Sequence, residues 1–313
     1  GYKLKVNKAY KLGLQNNSKY QNELSSYRNQ LSKTYLNDSK VTNQLIEEGY
    51  NRSLKEIKAS HILLSFDENI KGADTLAFYN KALELKKRIE KGENFETVAV
   101  ANSQDPSVAE NKGNLGYFSA FRMVYPFECA AYKTKIGQIS NPVRTRFGYH
   151  IIKVTDVRDN KGEVTVAHIM ILNPSDATPE AKARAKQTID DISKKIQQGE
   201  SFEALAGQFS EDKASATKGG VLQRFGTGQL SSEAFENTAF SLVNKGDISQ
   251  PFESGFGWHI VKLIDKHPVK SFEESKSELE SKIKRDERSI IITNTLANKL
   301  KSKYTVETNK VQY

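Results

Sequence analysis

"FGYHIIKV" (147–154) and "FGWHIVKL" (256–263) are one octet written twice in a single chain. An aromatic, a glycine, a second aromatic and a histidine lead into a β-branched run. That is the pattern of a histidine at the start of a strand that is apolar on both faces. Working outward, each landmark near the octet has a counterpart. His61 in "ASHILL" stands 107 positions before His168 in "VAHIMI", and Asp105 in "NSQDPS" stands 107 before Asp212 in "FSEDKA". Leu115 in "KGNLGYF" stands 107 before Leu222 in "GGVLQRF". The offset grows to 108 between Phe127 and Phe235 and to 109 between His150 and His259, so the second copy carries two single-residue insertions. The stripe Ala82, Leu85 and Ile89 before Gly92 returns as Ile189, Ile192 and Ile196 before Gly199. The chain holds two copies of one domain of roughly 100 residues.

Each copy reads alike. A short β-branched strand carries the first histidine, and an amphipathic helix follows, capped by Asp74 in one copy and by Thr178 with Pro179 in the other. A second short helix holds "FETVAV" or "FEALAG", and a glycine-bearing turn leads to a strand, "NLGYF" or "VLQRF". After another helical turn comes the octet strand. Strands separated by grouped helices predict an α+β fold, a small sheet surrounded by helices, not a doubly wound one. The flanks are helical. Tyr20, Leu24, Tyr27 and Leu31 make one stripe, and Val41, Leu45 and Leu54 a further helix running to about Lys58. Phe272, Leu279, Ile283, Ile290, Leu296 and Leu300 make a long pattern at the other end. The simplest reading of these arms is that they pack against each other.

Composition narrows the class. At 313 residues there is length for two or three domains, each with its own core. No apolar stretch approaches the roughly 18–20 residues that span a bilayer. The net charge of +9 is spread along helices with Glu and Asp between the basic residues, as in "KALELKKRIEKGE". That is a solvated surface, not the basic, aromatic-studded groove of a nucleic-acid binder. The single Cys129 excludes an internal disulfide framework. A start at Gly1 without Met or signal peptide reads as a trimmed or mature fragment, with any targeting signal removed.

Of five histidines, four occupy the repeated positions: His61, His150, His168 and His259. A metal site would need further ligands at short spacing, yet no H-x-x-x-H, C-x-x-C or H-E-x-x-H occurs, and only Asp105 or Asp212 could assist. A serine hydrolase would need a positioned nucleophile, and there is no G-x-S-x-G. Both readings are poor.

"ASHILL", "NSQDPS", "KGNLGYF", "MVYPFECAAY" and "TRFGYHIIKV", in that order and spacing, resemble a parvulin-type peptidyl-prolyl cis/trans isomerase. "VAHIMI", "FSEDKASATKGGVLQRF", "EAFENTAF" and "GFGWHIVKL" resemble a second one. The resemblance implies parvulin domains at 56–158 and 163–266. A helical arm at 1–55, part of a larger chaperone region, and a C-terminal arm at 267–313 would flank them, an arrangement similar to the SurA- and PrsA-like foldases of the bacterial cell envelope. It further implies action on X–Pro bonds of unfolded or exported client proteins, without cofactor, and location in the periplasm or envelope. The alternative is a holdase that binds aromatic or proline-rich segments with little turnover.

By the same resemblance, Leu115, Met123 and Phe127 form a cup for the proline ring. His61 and His150 form its back wall, hydrogen-bonded to each other, and Phe147 adds a hydrophobic wall. Asp105 stands at a Cys-or-Asp position facing the substrate carbonyl, where a shifted pKa or partial protonation would limit repulsion. In the second copy His168, Asp212, Leu222, Phe235, Phe256 and His259 match, while either Leu230 or Ser231 falls at the Met position and Gln223 replaces Gly116. A catalytic or a purely peptide-binding second site are both open. The loop after the first strand sets Lys71 alone against Asp67, Glu68 and Asp74, so no preference for a phosphorylated residue before proline is expected.

Overall fold

A computed structural model of the chain describes residues 2–35, 39–66 and 75–303. The N-terminal arm forms α1 (Tyr2–Lys11), α2 (Ser18–Tyr35) and α3 (Ser39–Ser53). The first repeat follows as β1 (Lys55–Ser65), α4 (Leu76–Glu90), α5 (Phe95–Asn102), α6 (Val108–Asn111), β2 (Asn114–Phe118), α7 (Tyr125–Lys133), β3 (Val143–Thr145) and β4 (Gly148–Asp159). The second is β5 (Glu163–Leu172), α8 (Pro179–Gln197), α9 (Phe202–Phe209), α10 (Lys213–Ala216), β6 (Phe225–Gly226), α11 (Glu233–Ser241), β7 (Phe252–Ser254) and β8 (Gly257–His267). Two helices close the described chain, α12 (Phe272–Arg285) and α13 (Arg288–Lys303).

Each repeat builds a four-stranded antiparallel sheet, in the order β2-β1-β4-β3 and β6-β5-β8-β7. The expected α+β class and its duplication are therefore observed. The central pair of each sheet is apolar on both faces because both faces are covered. In the first repeat Ile62, Leu64 and Ile151 pack under Ala82, Leu85 and Ile89 of α4 and Phe95, Val98 and Ala99 of α5. The opposite face sets Ile57, Ala59, Ile152 and Val154 against Phe127 and Ala131 of α7. The second repeat copies both layers, with Ile169 and Ile260 beneath α8 and α9 on one side. On the other, Val166 and Val261 pack against Phe235 and Ala239 of α11.

The octets owe their glycine to this packing. Gly148 and Gly257 have φ of +142° and +149°, and a Cβ there would stand 2.1 Å from Leu64 O and 2.2 Å from Ile171 O. Gly148→Ala and Gly257→Ala are each expected to cost their domain more than about 3 kcal/mol, through left-handed strain and collision with backbone that cannot yield. Denaturant unfolding checks this. The single Trp258 reports the second domain, so Gly257→Ala should move the fluorescence midpoint and Gly148→Ala should not.

Several sequence expectations change in the fold. The third helix ends at Ser53 and the chain is already in the sheet at Lys55, so it does not run to Lys58. Lys55 to Lys58 pair with Asp159 to Asp156, and those cross-strand bonds outweigh the weak helical pattern there. The C-terminal pattern is two helices, broken at residues 286–287. "VLQRF" is not one strand: Val221 makes an isolated bridge to Ala167, and pairing resumes only at Phe225–Gly226. In the first repeat Gly116 takes φ +65° within β2, a conformation that Gln223 does not share. Thr178 caps α8 as expected, accepting from Ala181 N–H with Pro179 in the first turn. Asp74 lies outside the described residues, and the residue before α4 is Thr75.

Two compact units emerge, one of residues 49–275 and one joining 1–48 with 276–313. The two arms thus share a unit. Within it Leu45, Ile46, Leu279, Ile283 and Ile292 are buried, whereas the Tyr20, Tyr27 and Leu31 stripe of α2 is exposed.

Candidate active site

Antiparallel register brings the two histidines of each repeat together. In the β1–β4 pair His61 lies opposite Ile152 and Leu63 opposite His150, so both imidazoles stand on the face covered by α7. His61 Nδ1 and His150 Nδ1 are 3.2 Å apart and both rings are buried. Gly113 makes room beside them: its φ is +84°, its carbonyl accepts from His61 N–H, and a Cβ there would lie 2.6 Å from His61 O.

The partners at each end assign the protons. Thr145 Oγ1 accepts from Phe147 N–H, which leaves its own hydroxyl to donate to His150 Nε2 at 2.8 Å. His150 Nδ1 then carries the hydrogen and donates to His61 Nδ1, and His61 Nε2–H faces Asp105 Oδ2 at 2.9 Å. The last contact is close in distance but off the line of a well-formed hydrogen bond. Desolvation holds both rings neutral. His150 is pushed down to about 3 by burial and then by the neighbouring His61, while His61 is lowered by burial against the raising pull of Asp105.

Asp105 carries a shifted pKa, one of the two states expected of it, and the shift is downward. Burial pulls its pKa up, but the Ser107 hydroxyl and N–H on Oδ1, together with His61, outweigh that and hold it below the ordinary carboxylate value. Asp105 is ionised. Asp212 is lowered too: burial again opposes, and the Ser215 hydroxyl, His168 and Ala214 N–H prevail.

Beside the histidines lies an apolar hollow. Phe127 meets both rings edge-on, at 5.7 Å from His61 and 5.3 Å from His150 between centroids. Leu115 and Met123, both half-buried, pack on the same cluster. Phe147 stands apart from it, 47% exposed at the β3–β4 turn, with the Arg146 guanidinium 4.8 Å over its ring. Phe256 is likewise exposed at the β7–β8 turn.

The second repeat reproduces the hollow. Phe235 lies edge-on to His168 and His259 at 5.5 and 5.3 Å, and Leu222 and Leu230 pack on its cluster. Of the two residues left open at the Met position, Leu230 occupies it. Gly228 (φ +73°) takes the backbone place of Phe121 (φ +64°), 107 positions on, so the inserted residue comes after Leu230. The histidine chain is altered, however. His168 Nε2 reaches Asp212 Oδ2 at 2.8 Å and Ser254 Oγ reaches His259 Nε2 at 2.7 Å. The two imidazoles stack at 5.8 Å, yet among the described residues neither Nδ1 has a hydrogen-bond partner. Burial and the adjacent His168 push His259 down to about 4.

Sequence reasoning missed three features. Thr145 and Ser254 end the histidine chains five residues before His150 and His259; their signal was the shared hydroxyl at a 109-residue offset. Phe252 stacks on His259 at 5.4 Å where the first repeat has Val143, again 109 residues earlier. Glu128 and Glu236 are buried carboxylates inside apolar helices. Glu128 accepts from Phe121 N–H and Arg52, and Glu236 accepts from the N–H groups of Gly228, Gln229 and Leu230. They hold the loops that carry Met123 and Leu230.

Comparison with known proteins agrees with this duplication. Residues 45–158 and 168–265 each match the PPIC-type PPIASE domain. Chaperone SurA of Shigella dysenteriae is 32% identical over 224 residues, 70% of this chain and 51% of that protein. Foldase protein PrsA of a Geobacillus strain is 43% identical over 129 residues, 41% of this chain and 42% of the relative. This chain thus spans about half the length of the curated relatives it matches. Among solved structures, NmPin, the parvulin of Nitrosopumilus maritimus, is 39% identical with a TM-score of 0.28, covering 33% of this chain and 97% of that one. PrsA of Bacillus anthracis is 35% identical with a TM-score of 0.31, covering 49% of this chain and 70% of the other. With a duplicated sheet, a paired-histidine hollow in each copy and two matching domain families, the chain belongs to the PPIC-type parvulins and is similar to SurA and PrsA.

Proposed function

We propose that the chain is a cofactor-free peptidyl-prolyl cis/trans isomerase and folding chaperone acting on X–Pro bonds of unfolded, exported proteins in the cell envelope. The observation that carries it is the apolar hollow walled by two buried histidines beside an aspartate of lowered pKa, present twice. An X–Pro bond crosses a barrier of roughly 18–20 kcal/mol because twisting abolishes amide resonance. Lowering that barrier requires no nucleophile. It requires a seat for the pyrrolidine ring and surroundings that favour the twisted amide over the planar one.

Leu115, Met123 and Phe127 supply the seat. Asp105 supplies the discrimination. A planar amide carries resonance charge on its oxygen, which an ionised carboxylate nearby repels, and twisting removes that charge. The repulsion therefore raises the planar forms more than the transition state. The Ser107 hydroxyl and N–H keep Asp105 oriented, and the neutral His61 and His150 add no compensating positive charge. No phosphate preference is proposed, on the composition of residues 67–74, which lie outside the described residues. Envelope location rests on the relatives. Among the described residues no helix is long and apolar enough to cross a membrane.

The first site is proposed to carry most of the turnover, since its two histidines share a hydrogen bond that His168 and His259 lack. In a protease-coupled assay with Ala-Pro-Phe peptides, Asp105→Ala in the full chain should lower the rate on the order of tenfold, and Asp212→Ala by much less. Loss confined to Asp212→Ala would reverse the assignment. An unchanged slow phase with the unaltered chain would leave the holdase reading in its place.

A further inference from the structure

Both parvulin domains lie in the 49–275 unit, and the loops that bear Met123 and Leu230 touch each other across the domain boundary. Arg122, next to Met123, donates from Nη2 to the carbonyl of Gly228 at 2.6 Å. On its other side the same loop is held by Glu236, which accepts from Gly228, Gln229 and Leu230 N–H at 2.9, 2.9 and 2.8 Å. Gly228 thus has its N–H bound within its own domain and its C=O bound by the other. It also lies so close to β2 that a Cβ there would sit 2.7 Å from Tyr117 O. Lys58 of β1 adds an ion pair with Glu233, in the first turn of α11, at 3.4 Å.

The Met123 loop is anchored in turn. Phe121 N–H binds Glu128 Oε2 at 2.7 Å, and Glu128 Oε1 binds Arg52 Nη1 at 2.9 Å. A continuous path runs from Arg52 through Glu128, Phe121 and Arg122 to Gly228 and Glu236. The relation is one-sided, because Gln229 stands where the first repeat has Arg122, 107 residues earlier. The first domain reaches out to the second loop.

We propose that Arg122 is a positioning residue through which the first domain sets the shape of the second domain's cup. With the Gly228 carbonyl released, the loop keeps only its Glu236 bonds and Leu230 loses its fixed place over Leu222 and Phe235. The coupling is reciprocal by linkage: a peptide that orders one cup favours the arrangement that orders the other. That these loops are proline cups rests on the function proposed above; the contact between them does not.

Amide hydrogen exchange of residues 226–232 in the full chain tests the contact. R122A should speed exchange there about fivefold, the effect of one lost hydrogen bond, and R122K, which keeps a cationic donor, should restore most of the protection. In an Asp105→Ala background, where the second site is read alone, R122A should raise KM for the Ala-Pro-Phe peptide severalfold with kcat within about twofold. Unchanged exchange in folded R122A would overturn the positioning role, and changed exchange with unmoved KM would overturn its consequence for the cup. An Asp105→Ala chain with no turnover while exchange still responds would remove the isomerase reading of the second site and leave the positioning intact.

Discussion

Met123→Ala is expected to cut isomerase turnover on the order of tenfold in a chain that still melts as the parent does, whereas Phe127→Ala should unfold the first domain. The two residues share one hollow and differ in what lies behind them. Met123 is half-buried at its rim, so truncation removes contact area that only a bound proline ring covers fully, at roughly 25 cal/mol per Å2. Phe127 is 3% exposed and packs on Ile57, Ala59, Phe118 and Ile152 as well as on both histidine rings. Its truncation leaves a cavity costing about 3–5 kcal/mol, a large part of a small domain's stability. Activity and thermal unfolding of both variants, measured in an Asp212→Ala background, check the pair. Full activity in folded Met123→Ala would remove that residue from the cup, and a stable Phe127→Ala would contradict its place in the core.

The second large effect is on acid stability. His150 and His259 have folded pKa values of about 3 and about 4 against an ordinary 6.5, lowered first by burial and then by the partner imidazole. Below pH 6.5 the unfolded chain takes up protons that the folded chain refuses. The stability they contribute is whole above that pH and is lost as pH falls toward 4 for His259 and 3 for His150. At pH 5 each domain should be weaker by about 2 kcal/mol than at pH 7. His61, Asp105 and Asp212, all lowered, act in the same direction, the aspartates at still lower pH. Urea unfolding between pH 7 and 5 reads the effect. A flat profile would mean that the imidazoles are charged in the fold.

Much of the candidate site was legible because a repeat reports its own constraints. Two octets at a 109-residue offset identified the strand and one histidine together, and the 107-residue offsets found the other histidine, the aspartate and the leucine. Glu128 and Glu236 recur just as regularly, yet a carboxylate in an apolar helix acquires a purpose only when the loop it binds is seen above it. Thr145 and Ser254 went unread for a similar reason: a hydroxyl five residues from a histidine becomes its partner only through the hairpin that folds β3 onto β4 and β7 onto β8. The sequence left Asp105 between a shifted pKa and partial protonation. The donors that decide it, Ser107 and His61, come from a turn two residues on and from another strand.

By itself the sequence determined the two domains, their α+β class and the histidines, aspartate and leucine that recur in each copy. Those follow from periodicity, glycine placement and repeat offsets, all properties that alternate along the chain and survive small shifts in geometry. Only the tertiary structure decided that the first histidine pair shares a hydrogen bond and the second does not. It alone placed Leu230, not Ser231, in the cup, and joined the two cup loops through Arg122. These outcomes turn on how elements far apart in sequence meet. A hydrogen bond demands a narrow range of separation and angle that burial and strand pairing do not, and no periodicity encodes it.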